Sequence, residues 1–392
     1  MIDVPLTDEF LLGSATAADG GLERTARGVR PHRLPSWLRE RWPEPQLMAM
    51  EAQPSGVRLE LRTAAGQVEL VLHPRRVDYV GAPRPRGAVD VVVDGELLRS
   101  ESLTGGDAVQ VDLRDGSTEL VTGSPHRVLL ELPSPGEHHV QLWLPHNEEV
   151  EILSARADAP VRPAEQTGPR WIHYGSSISQ GSNATHPTGI WPVVAARAAG
   201  MRLRNLGLGG SAMADPFIGR IVRDEPADVV SLAIGINLVN ADAMRRRTFV
   251  PALHGLLDTV REGHPDAPLL VVTPIYCGIH ERTPGPGAID PESIGSDQVR
   301  FTATGAPGDT ELGRLTLEVI RDATREVLEG RSDDQHLHLV DGLSLYGEAD
   351  ADRLPLPDGL HPSTAAHRLI GERFAQLALG RAGTAARSAA TH

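Results

Sequence analysis

The sequence contains no lysine, so all 38 of its basic residues are arginines. That absence excludes a Schiff-base lysine, the lysine of a Walker nucleotide-binding loop and a Ser–Lys dyad. The single cysteine, Cys277, excludes an intramolecular disulfide and a cysteine-rich zinc site. No predicted strand is followed by a GxGxxG pattern, so we expect no dinucleotide cofactor.

Long apolar segments and positive charge are also scarce. No apolar run approaches the ~20 residues that a membrane-spanning helix needs. The 52 acidic residues give a net charge of −14, which disfavours nucleic acid because its binding requires a basic face. The N-terminus carries early acidic residues and no basic region, unlike a signal peptide. We therefore expect a cytoplasmic protein without nucleic-acid or membrane partners, and its 392 residues favour two domains.

The first part of the chain alternates apolar and polar residues with a period of two. Residues 57–62, VRLELR, show the pattern, which recurs up to about residue 155 between turns rich in Gly, Pro and Asp. Many short, half-buried strands of this kind are typical of an antiparallel β-sandwich. The sequence thus predicts a jelly-roll-like β-sandwich domain over residues 1–160, with an irregular N-terminal segment. Residues 158–170, rich in proline and polar residues, are interpreted as a linker.

The pattern changes after the linker. Five short apolar runs alternate with segments long enough for helices, which is typical of a parallel sheet covered by helices on both faces. We expect this α/β domain to span residues 170–380, with one helix capped by Asp309 or Thr310 and another from Ser363 to Gly380. The small, polar residues 381–392 are predicted to be a disordered tail.

Polar residues and glycines follow the predicted strands at the edge where ligands bind in such sheets. Two serines, Ser176 and Ser177, come after the first strand, and a glycine cluster follows the second. Asn237 follows the third strand. Asp358 and His361 follow the fifth, ahead of the last helix. The carboxyl ends of parallel strands lie on one edge, so folding is expected to bring these groups together.

This set of side chains suits acyl transfer through a serine. A serine hydroxyl becomes nucleophilic when a neutral imidazole takes its proton, and a carboxylate fixes the tautomer of that imidazole. His361 is the candidate base and Asp358 the carboxylate that orients it. The oxyanion requires preorganised donors, for which the candidates are the Gly210 N–H, Asn237 Nδ2 and the N–H of the nucleophilic serine.

Four segments resemble, in their order along the chain, the motifs of the SGNH, or GDSL, hydrolase superfamily. They are Gly175-Ser176-Ser177-Ile178, Asn205 to Gly210, Gly235-Ile236-Asn237 and Asp358-Gly359-Leu360-His361. The resemblance covers about residues 170–380. It implies a flavodoxin-like three-layer α/β/α sandwich and makes Ser177 the nucleophile, with Gly210 and Asn237 as oxyanion donors. Ser176 then stands where the family has aspartate, and Leu238 where aspartate commonly follows the asparagine. The layout with a preceding sandwich also resembles some carbohydrate esterases and a few acyltransferases.

Three functions remain open from the sequence. The main hypothesis is a serine esterase or acylhydrolase that cleaves a small-molecule O-acyl ester through an acyl-Ser177 intermediate, without metal or cofactor. The second is an acyltransferase that moves an acyl group from a donor such as acyl-CoA to the hydroxyl of a natural product or sugar. The third is a binding protein with an inactive hydrolase domain. The sequence predicts no particular acyl chain, alcohol or oligomeric state.

Two further features of the α/β domain bear on these hypotheses. His336 and His338 share one face of a predicted strand, but no third ligand is evident, so we expect a structural role and no metal. The Gly- and Pro-rich loop over residues 276–309 follows the fourth strand and is long for a compact domain, which is typical of functional loops. We expect it to form a wall of the substrate pocket.

Overall fold

The structure is a computed structural model that describes residues 1–80, 85–112, 115–296 and 298–380. The chain divides into two compact units. Unit 1 comprises Met1–Gln166 together with Thr185–Thr188, and unit 2 comprises Thr167–Ala184 and the chain from Gly189 onward. The predicted tail lies outside the described residues. Among the described residues, no helix is both long and apolar enough to cross a membrane.

Unit 1 is built almost entirely of strands. It contains two short helices, α1 (Ser36–Arg41) and α2 (Pro45–Glu51). Its described strands are β1 (Ile2–Asp3), β2 (Leu11–Leu12), β3 (Leu22–Arg24), β4 (Val29–Pro31), β5 (Arg58–Thr63), β6 (Gln67–Val80), β7 (Ala88–Val93), β8 (Glu96–Ser102), β9 (Asp107–Asp112), β10 (Thr118–Val121), β11 (His126–Glu131), β12 (His138–Trp143), β13 (Glu149–Ala157) and β14 (Val161–Pro163).

These strands form two sheets. One has eight strands, in the order β10-β9-β6-β13-β4-β3 with β1 beside β13 and β11 beside β6. The other has six, in the order β14-β5-β12-β7-β8 with β2 beside β5. Because side chains alternate along each strand, one apolar set from each sheet faces inward. Leu59, Leu70, Leu142 and Ile152 belong to the resulting buried core, so the predicted antiparallel sandwich is confirmed.

Two details of unit 1 differ from the sequence prediction. Strands β6 and β9 pair in parallel, whereas all other strand pairs of the sandwich are antiparallel among the described residues. The interpretation of residues 158–170 wholly as a linker is wrong, because β14 pairs with β5 at a sheet edge. An edge tolerates Pro163, since proline lacks the N–H that an interior strand needs.

Unit 2 alternates strands and helices. Its strands are β15 (Arg170–Gly175), β16 (Arg202–Gly207), β17 (Val229–Ala233), β18 (Leu269–Val272), β19 (Gly287–Ile289), β20 (Phe301–Ala303) and β21 (Leu337–Val340). Its α-helices are α3 (Ser177–Gln180), α4 (Trp191–Ala199), α5 (Pro216–Asp224), α6 (Ile236–Asn240), α7 (Arg246–Gly263), α8 (Leu317–Glu329), α9 (Gly342–Leu345), α10 (Glu348–Arg353) and α11 (Thr364–Phe374). Short 3₁₀ helices span Pro291–Ser293 and Pro307–Leu312, and a π-helix spans Ala375–Leu379. A further 3₁₀ helix, Pro187–Gly189, begins in the short segment assigned to unit 1 and ends at the first residue of unit 2 that follows it.

The central sheet of unit 2 is parallel, with the strand order β16-β15-β17-β18-β21. After β15 the chain adds β16 on one side of it and then crosses over to add β17 on the other side. The direction in which strands are added therefore reverses between β15 and β17. Ligands of open α/β sheets bind outside the carboxyl ends of the strands at such a switch point. The predicted α/β fold with a parallel sheet is therefore confirmed, and its topology points to the ends of β15 and β17.

One predicted helix begins later than the sequence analysis expected. Helix α8 starts at Leu317, with the Thr316 hydroxyl accepting from Val319 N at 3.2 Å. The expected cap at Asp309 or Thr310 is wrong, because those residues lie in a separate 3₁₀ helix that ends before Gly313 at φ +79°. The last helix begins where the sequence predicts, since Ser363 Oγ caps it by accepting from Ala366 N at 3.3 Å. Its α-helical part ends at Phe374, and the rest of the predicted length to Gly380 continues as a π-helix.

Candidate active site

Ser177 is the first residue of α3, immediately after β15 ends at Gly175. Ser176 caps this short helix, with its Oγ accepting from Ile178 N at 3.3 Å. The capping role explains how a serine replaces the family's aspartate here, since both residue types are favoured N-caps. The Ser176 hydroxyl is thus hydrogen-bonded to the backbone, and Ser176 as a whole is 4% exposed. Ser177 begins the helix, and its hydroxyl is directed elsewhere.

The Ser177 hydroxyl meets the base that the sequence predicts. Ser177 Oγ lies 3.0 Å from His361 Nε2, although the two residues are 184 positions apart in the chain. His361 Nδ1 lies 2.7 Å from Asp358 Oδ2. An ionised carboxylate only accepts hydrogen bonds, so Nδ1 carries the proton and Nε2 is free to accept from Ser177. The folded chain therefore brings a hydroxyl, an imidazole and a carboxylate into one hydrogen-bonded series.

Asp358 is held in its ionised form by the turn that it begins. Its Oδ1 accepts from Leu360 N at 2.9 Å and from His361 N at 2.7 Å. Burial raises the pKa of Asp358, but the hydrogen bonds from the His361 ring and from these two backbone N–H groups outweigh burial, and the net pKa is lowered. A carboxylate that stays charged can keep the imidazole in one orientation and stabilise its protonated form.

The glycine-rich loop after β16 lies against the nucleophile helix. A Cβ at Gly207 would lie 2.4 Å from Gln180 N, so only glycine permits this approach. Gln180 Oε1 accepts from Gly209 N at 2.7 Å, and Asn205 Nδ2 donates to Ser179 O at 3.0 Å. These contacts fix the loop relative to α3. The sequence analysis did not predict this role of Gln180. The signal for it in the sequence was a polar side chain within the four residues that form α3.

Asn237 and Gly210 are the oxyanion donors that the sequence predicts. Asn237 Oδ1 accepts from Ala212 N at 3.1 Å, which fixes the amide so that Nδ2 is left as its donor group. Gly210 has φ +70°, a conformation that glycine adopts without strain. Among the described residues, Asn237 Nδ2 and the backbone N–H groups of Gly210 and Ser177 donate no hydrogen bond. Three donors near the same strand ends therefore remain available to a ligand.

The long loop that follows β18 packs on the histidine side of the site. Its two strands, β19 and β20, form an antiparallel hairpin. Phe301 N donates to Asp358 O at 2.8 Å, and the Phe301 ring stands edge-on to the His361 ring at 5.7 Å. Cys277 Sγ lies 3.4 Å from Gly359 O, and burial raises the pKa of this thiol to about 12. The loop thus supports the turn that carries His361, while its role as a wall of the substrate pocket remains a prediction.

A small apolar cavity lies at the carboxyl ends of the central strands, with a volume of about 50 Å³. Ser176 and Ile178, the two chain neighbours of Ser177, both line it. Most of the rest of its wall comes from apolar side chains, which include Trp191, Ile236 and Ile370. The site therefore combines a polar series with an adjoining apolar space, which is the composition expected of a small-molecule site.

Sequence reasoning did not anticipate a buried polar network beneath the nucleophile helix. His173, in β15, is fully buried; its Nε2 lies 2.7 Å from Ser179 Oγ and its Nδ1 2.7 Å from Ser231 Oγ. Trp171 Nε1 also donates to Ser231 Oγ at 2.7 Å. The network links β15, β17 and α3. The signal in the sequence was a histidine within a strand that is otherwise apolar.

We predict that unit 2 loses stability as the pH falls below about 6.5. Burial lowers the pKa of His173 from 6.5 to about 3 and that of His367 to about 4. The unfolded chain binds these protons near pH 6.5 and the folded chain does not, so each group contributes stability that is lost on acidification, by at most about 1.4 kcal/mol per pH unit. Thermal unfolding between pH 7 and pH 4 measures this slope.

Substitution of His173 tests its share of that slope. His173→Gln is expected to lower the unfolding temperature at pH 7 and to flatten its dependence on pH. The matched control is His336→Gln, because His336 is exposed and lies just before β21. An unchanged pH dependence in His173→Gln would show that this imidazole is not the group that titrates.

No group of three or more potential metal ligands is found among the described residues. His338 lies on β21, the strand at one edge of the parallel sheet, whereas His336 precedes that strand, so the prediction that the two share one face of a strand is wrong. Burial lowers the pKa of His338. A structural role for this pair remains a prediction.

The profile of the GDSL-like lipase/acylhydrolase family matches residues 173–369, a segment that contains Ser177, Gly210, Asn237, Asp358 and His361. No curated protein matches the chain. The fold is similar to that of the salicylyl-acyltransferase SsfX3 from a tetracycline biosynthetic pathway, with 25% identity, a TM-score of 0.74, and coverage of 98% of this chain and 97% of that chain.

Two other solved structures share the fold at lower identity. A protein from Bacteroides ovatus designated a GDSL-like lipase is 18% identical, with a TM-score of 0.62 and 93% of each chain covered. A family two carbohydrate esterase from Clostridium thermocellum, in complex with cellohexaose, is 17% identical, with a TM-score of 0.55 and coverage of 84% of this chain and 93% of that chain. The matched profile spans half of the sequence and includes the whole hydrogen-bonded series, and the chain is accordingly an enzyme that belongs to the GDSL-like lipase/acylhydrolase family.

Proposed function

We propose that this protein is a serine esterase that cleaves a small-molecule O-acyl ester through an acyl-Ser177 intermediate. The observation that carries the proposal is the 3.0 Å separation of Ser177 Oγ and His361 Nε2, with Asp358 on the other side of the ring. A nucleophile, a base within hydrogen-bond reach and a group that orients the base are the three parts that such chemistry requires.

In the first half of the reaction, Ser177 Oγ attacks the ester carbonyl carbon while its proton passes to His361 Nε2. The carbonyl π electrons move to oxygen and give a tetrahedral oxyanion. This intermediate collapses, the bond to the alcohol oxygen breaks, and His361 returns the proton to the departing alcohol. In the second half, His361 takes a proton from water, whose oxygen attacks the acyl-enzyme, and the acid departs as Ser177 regains its proton.

Three N–H donors are proposed to stabilise the oxyanion: Asn237 Nδ2 and the backbone groups of Gly210 and Ser177. Support comes from their lack of described acceptors and from the Ala212 N–H bond that sets the Asn237 amide. Preorganised donors of this kind lower the barrier because they need no reorientation when charge develops.

Replacement of Asn237 separates this donor role from a structural one. Asn237→Ala is expected to lower kcat for a p-nitrophenyl ester by roughly a hundred- to a thousandfold, the usual effect of removing one oxyanion donor. Asn237→Asp keeps an oxygen for Ala212 N but removes the donor, so it is expected to be at least as slow. If Asn237→Asp retains near-normal activity, the residue serves only to accept from Ala212.

The apolar cavity is proposed to receive part of the acyl group. Ser176 and Ile178 line it on both sides of Ser177 in the sequence, and its walls are almost entirely apolar. An apolar acyl substituent would be desolvated there, which favours it over a charged one. A series of p-nitrophenyl esters that differ only in acyl size tests this placement through kcat/KM.

A second candidate, an acyltransferase, is favoured by the similarity over nearly the full length to a salicylyl-acyltransferase. The reaction is the same up to the acyl-enzyme, after which the hydroxyl of a bound acceptor attacks instead of water. Incubation with an activated ester, with and without alcohol acceptors, distinguishes the two. Rapid turnover in buffer alone supports hydrolysis, whereas a stable acyl-enzyme that is discharged only by an acceptor supports transfer.

Both enzyme proposals fail if the hydrolase site is inactive. A serine-directed phosphonate is expected to add one covalent equivalent, measured by intact mass, with the modification mapped to Ser177. The Ser177→Ala protein is the matched control and should stay unmodified. Absence of an adduct on the unsubstituted protein would favour the binding-protein hypothesis instead.

A further inference from the structure

Unit 1 contains a second cavity, with a volume of about 270 Å³ and a largely charged lining. It lies on the outer face of the eight-stranded sheet. Leu72 and Ile152 point into the sandwich core, so their neighbours His73 and Glu151, which are paired across β6 and β13, point outward. The same register pairs Arg75 with Glu149 on β13 and with Asp107 on β9.

The outer face of a sandwich sheet is normally solvated, but parts of this one are buried. His73 is 7% exposed and Glu151 3% exposed. Glu151 is satisfied, since it pairs with Arg27 and accepts from the Thr25 hydroxyl. His32 is likewise held between Glu51 and Glu23. One side of the lining is therefore a completed structural network.

The other side of the lining is incomplete. His73 Nε2 lies within ion-pair distance of Asp107 Oδ1, at 3.0 Å, but neither Nδ1 nor Nε2 of His73 makes a hydrogen bond among the described residues. Arg30, Arg75 and Glu149 line the same cavity, and none makes an ion pair within 4.0 Å or a side-chain hydrogen bond with a described residue. A buried polar group without a partner costs roughly 1–3 kcal/mol, so a ligand that hydrogen-bonds to His73 Nδ1 would recover that free energy. Arg30 and Arg75 are exposed, so their side chains are accessible to such a ligand.

The unpaired groups define the chemistry of their complement. Two guanidinium groups suit a carboxylate, which arginine binds through two parallel N–H bonds. Glu149 accepts hydrogen bonds, and His73 Nδ1 accepts or donates according to its tautomer, so both suit hydroxyl groups. We propose that the cavity lined by Arg30, His73, Arg75 and Glu149 binds a small hydroxylated carboxylate of about the size of a monosaccharide acid.

Three probes separate the parts of this ligand. D-Glucuronate carries both the carboxylate and the hydroxyl groups, D-glucose carries only the hydroxyl groups, and acetate carries only the carboxylate. Calorimetric titration of the full chain is expected to give saturable binding of D-glucuronate and much weaker binding of the other two. Equal affinity for glucose would overturn the role of the arginines, and equal affinity for acetate or inorganic phosphate would reduce the site to a general anion site.

Substitutions in the cavity lining test whether D-glucuronate binds there. Arg75→Gln is expected to weaken D-glucuronate binding about tenfold to a hundredfold, the effect of removing a charged hydrogen-bond partner. Arg99→Gln is the matched control, because Arg99 lies on β8 of the other sheet and pairs with Glu101. Arg30→Gln provides a second variant if Arg75→Gln does not fold, and ester turnover should be unchanged in all three. Absence of saturable binding at millimolar D-glucuronate, or equal binding by the Arg75 and Arg99 variants, would refute the proposal.

Discussion

Ser177→Ala is expected to abolish turnover of an activated ester, with kcat falling by up to about a millionfold, as when a hydrolase loses the nucleophile of a cooperating triad. The hydroxyl 3.0 Å from His361 Nε2 is the atom that we propose forms the acyl-enzyme, and alanine leaves the imidazole without a nucleophile. Initial rates with p-nitrophenyl acetate measure the loss. The circular dichroism spectrum should remain that of the unsubstituted chain, because Ser177 is not a cap.

The adjacent serine is the matched control. Ser176→Ala removes the hydroxyl that accepts from Ile178 N, so it is expected to cost about 1 kcal/mol of stability and to leave most of the turnover. Intact-mass spectrometry after phosphonate treatment should show an adduct on this variant. If Ser176→Ala is inactive and Ser177→Ala is active, the assignment of the nucleophile is wrong by one residue.

Asp358→Asn is expected to lower kcat by about ten-thousandfold while the fold is retained. An asparagine can still accept from Leu360 N and His361 N through Oδ1, so the turn survives. Its amide then faces His361 Nδ1 and donates to it, which moves the ring proton to Nε2. The imidazole would present a proton to Ser177 where it must present a lone pair.

The tautomer can be measured independently of the rate. Nitrogen-15 chemical shifts of His361 should indicate a protonated Nδ1 in the unsubstituted protein and a protonated Nε2 in Asp358→Asn. Asp358→Ala serves as a comparison, because it removes the turn hydrogen bonds as well as the carboxylate. A loss in rate of less than tenfold for Asp358→Asn would mean that Asp358 holds the turn and contributes little to the orientation of His361.

The sequence by itself determined the local elements and their order. Alternation with a period of two specified the sandwich strands, because a strand with one buried face must repeat every second residue. Short apolar runs between helical segments specified the parallel sheet, and the polar residues at the strand ends indicated which groups would meet. Where two residues could each cap a helix, the sequence placed the helix start wrongly. Thr316 caps α8 instead of Asp309, because Gly313 separates the 3₁₀ helix that contains Asp309 from α8.

Only the tertiary structure decided contacts between distant parts of the chain. The distance from Ser177 to His361, the partners of buried His173, and the Phe301 contact with the base all depend on which surfaces pack together. The parallel pairing of β6 with β9 and the charged cavity beside it arise in the same way. Periodicity shows which face of a strand is apolar. Which strand or side chain that face packs against depends on the whole fold, and for this reason no local pattern predicts it.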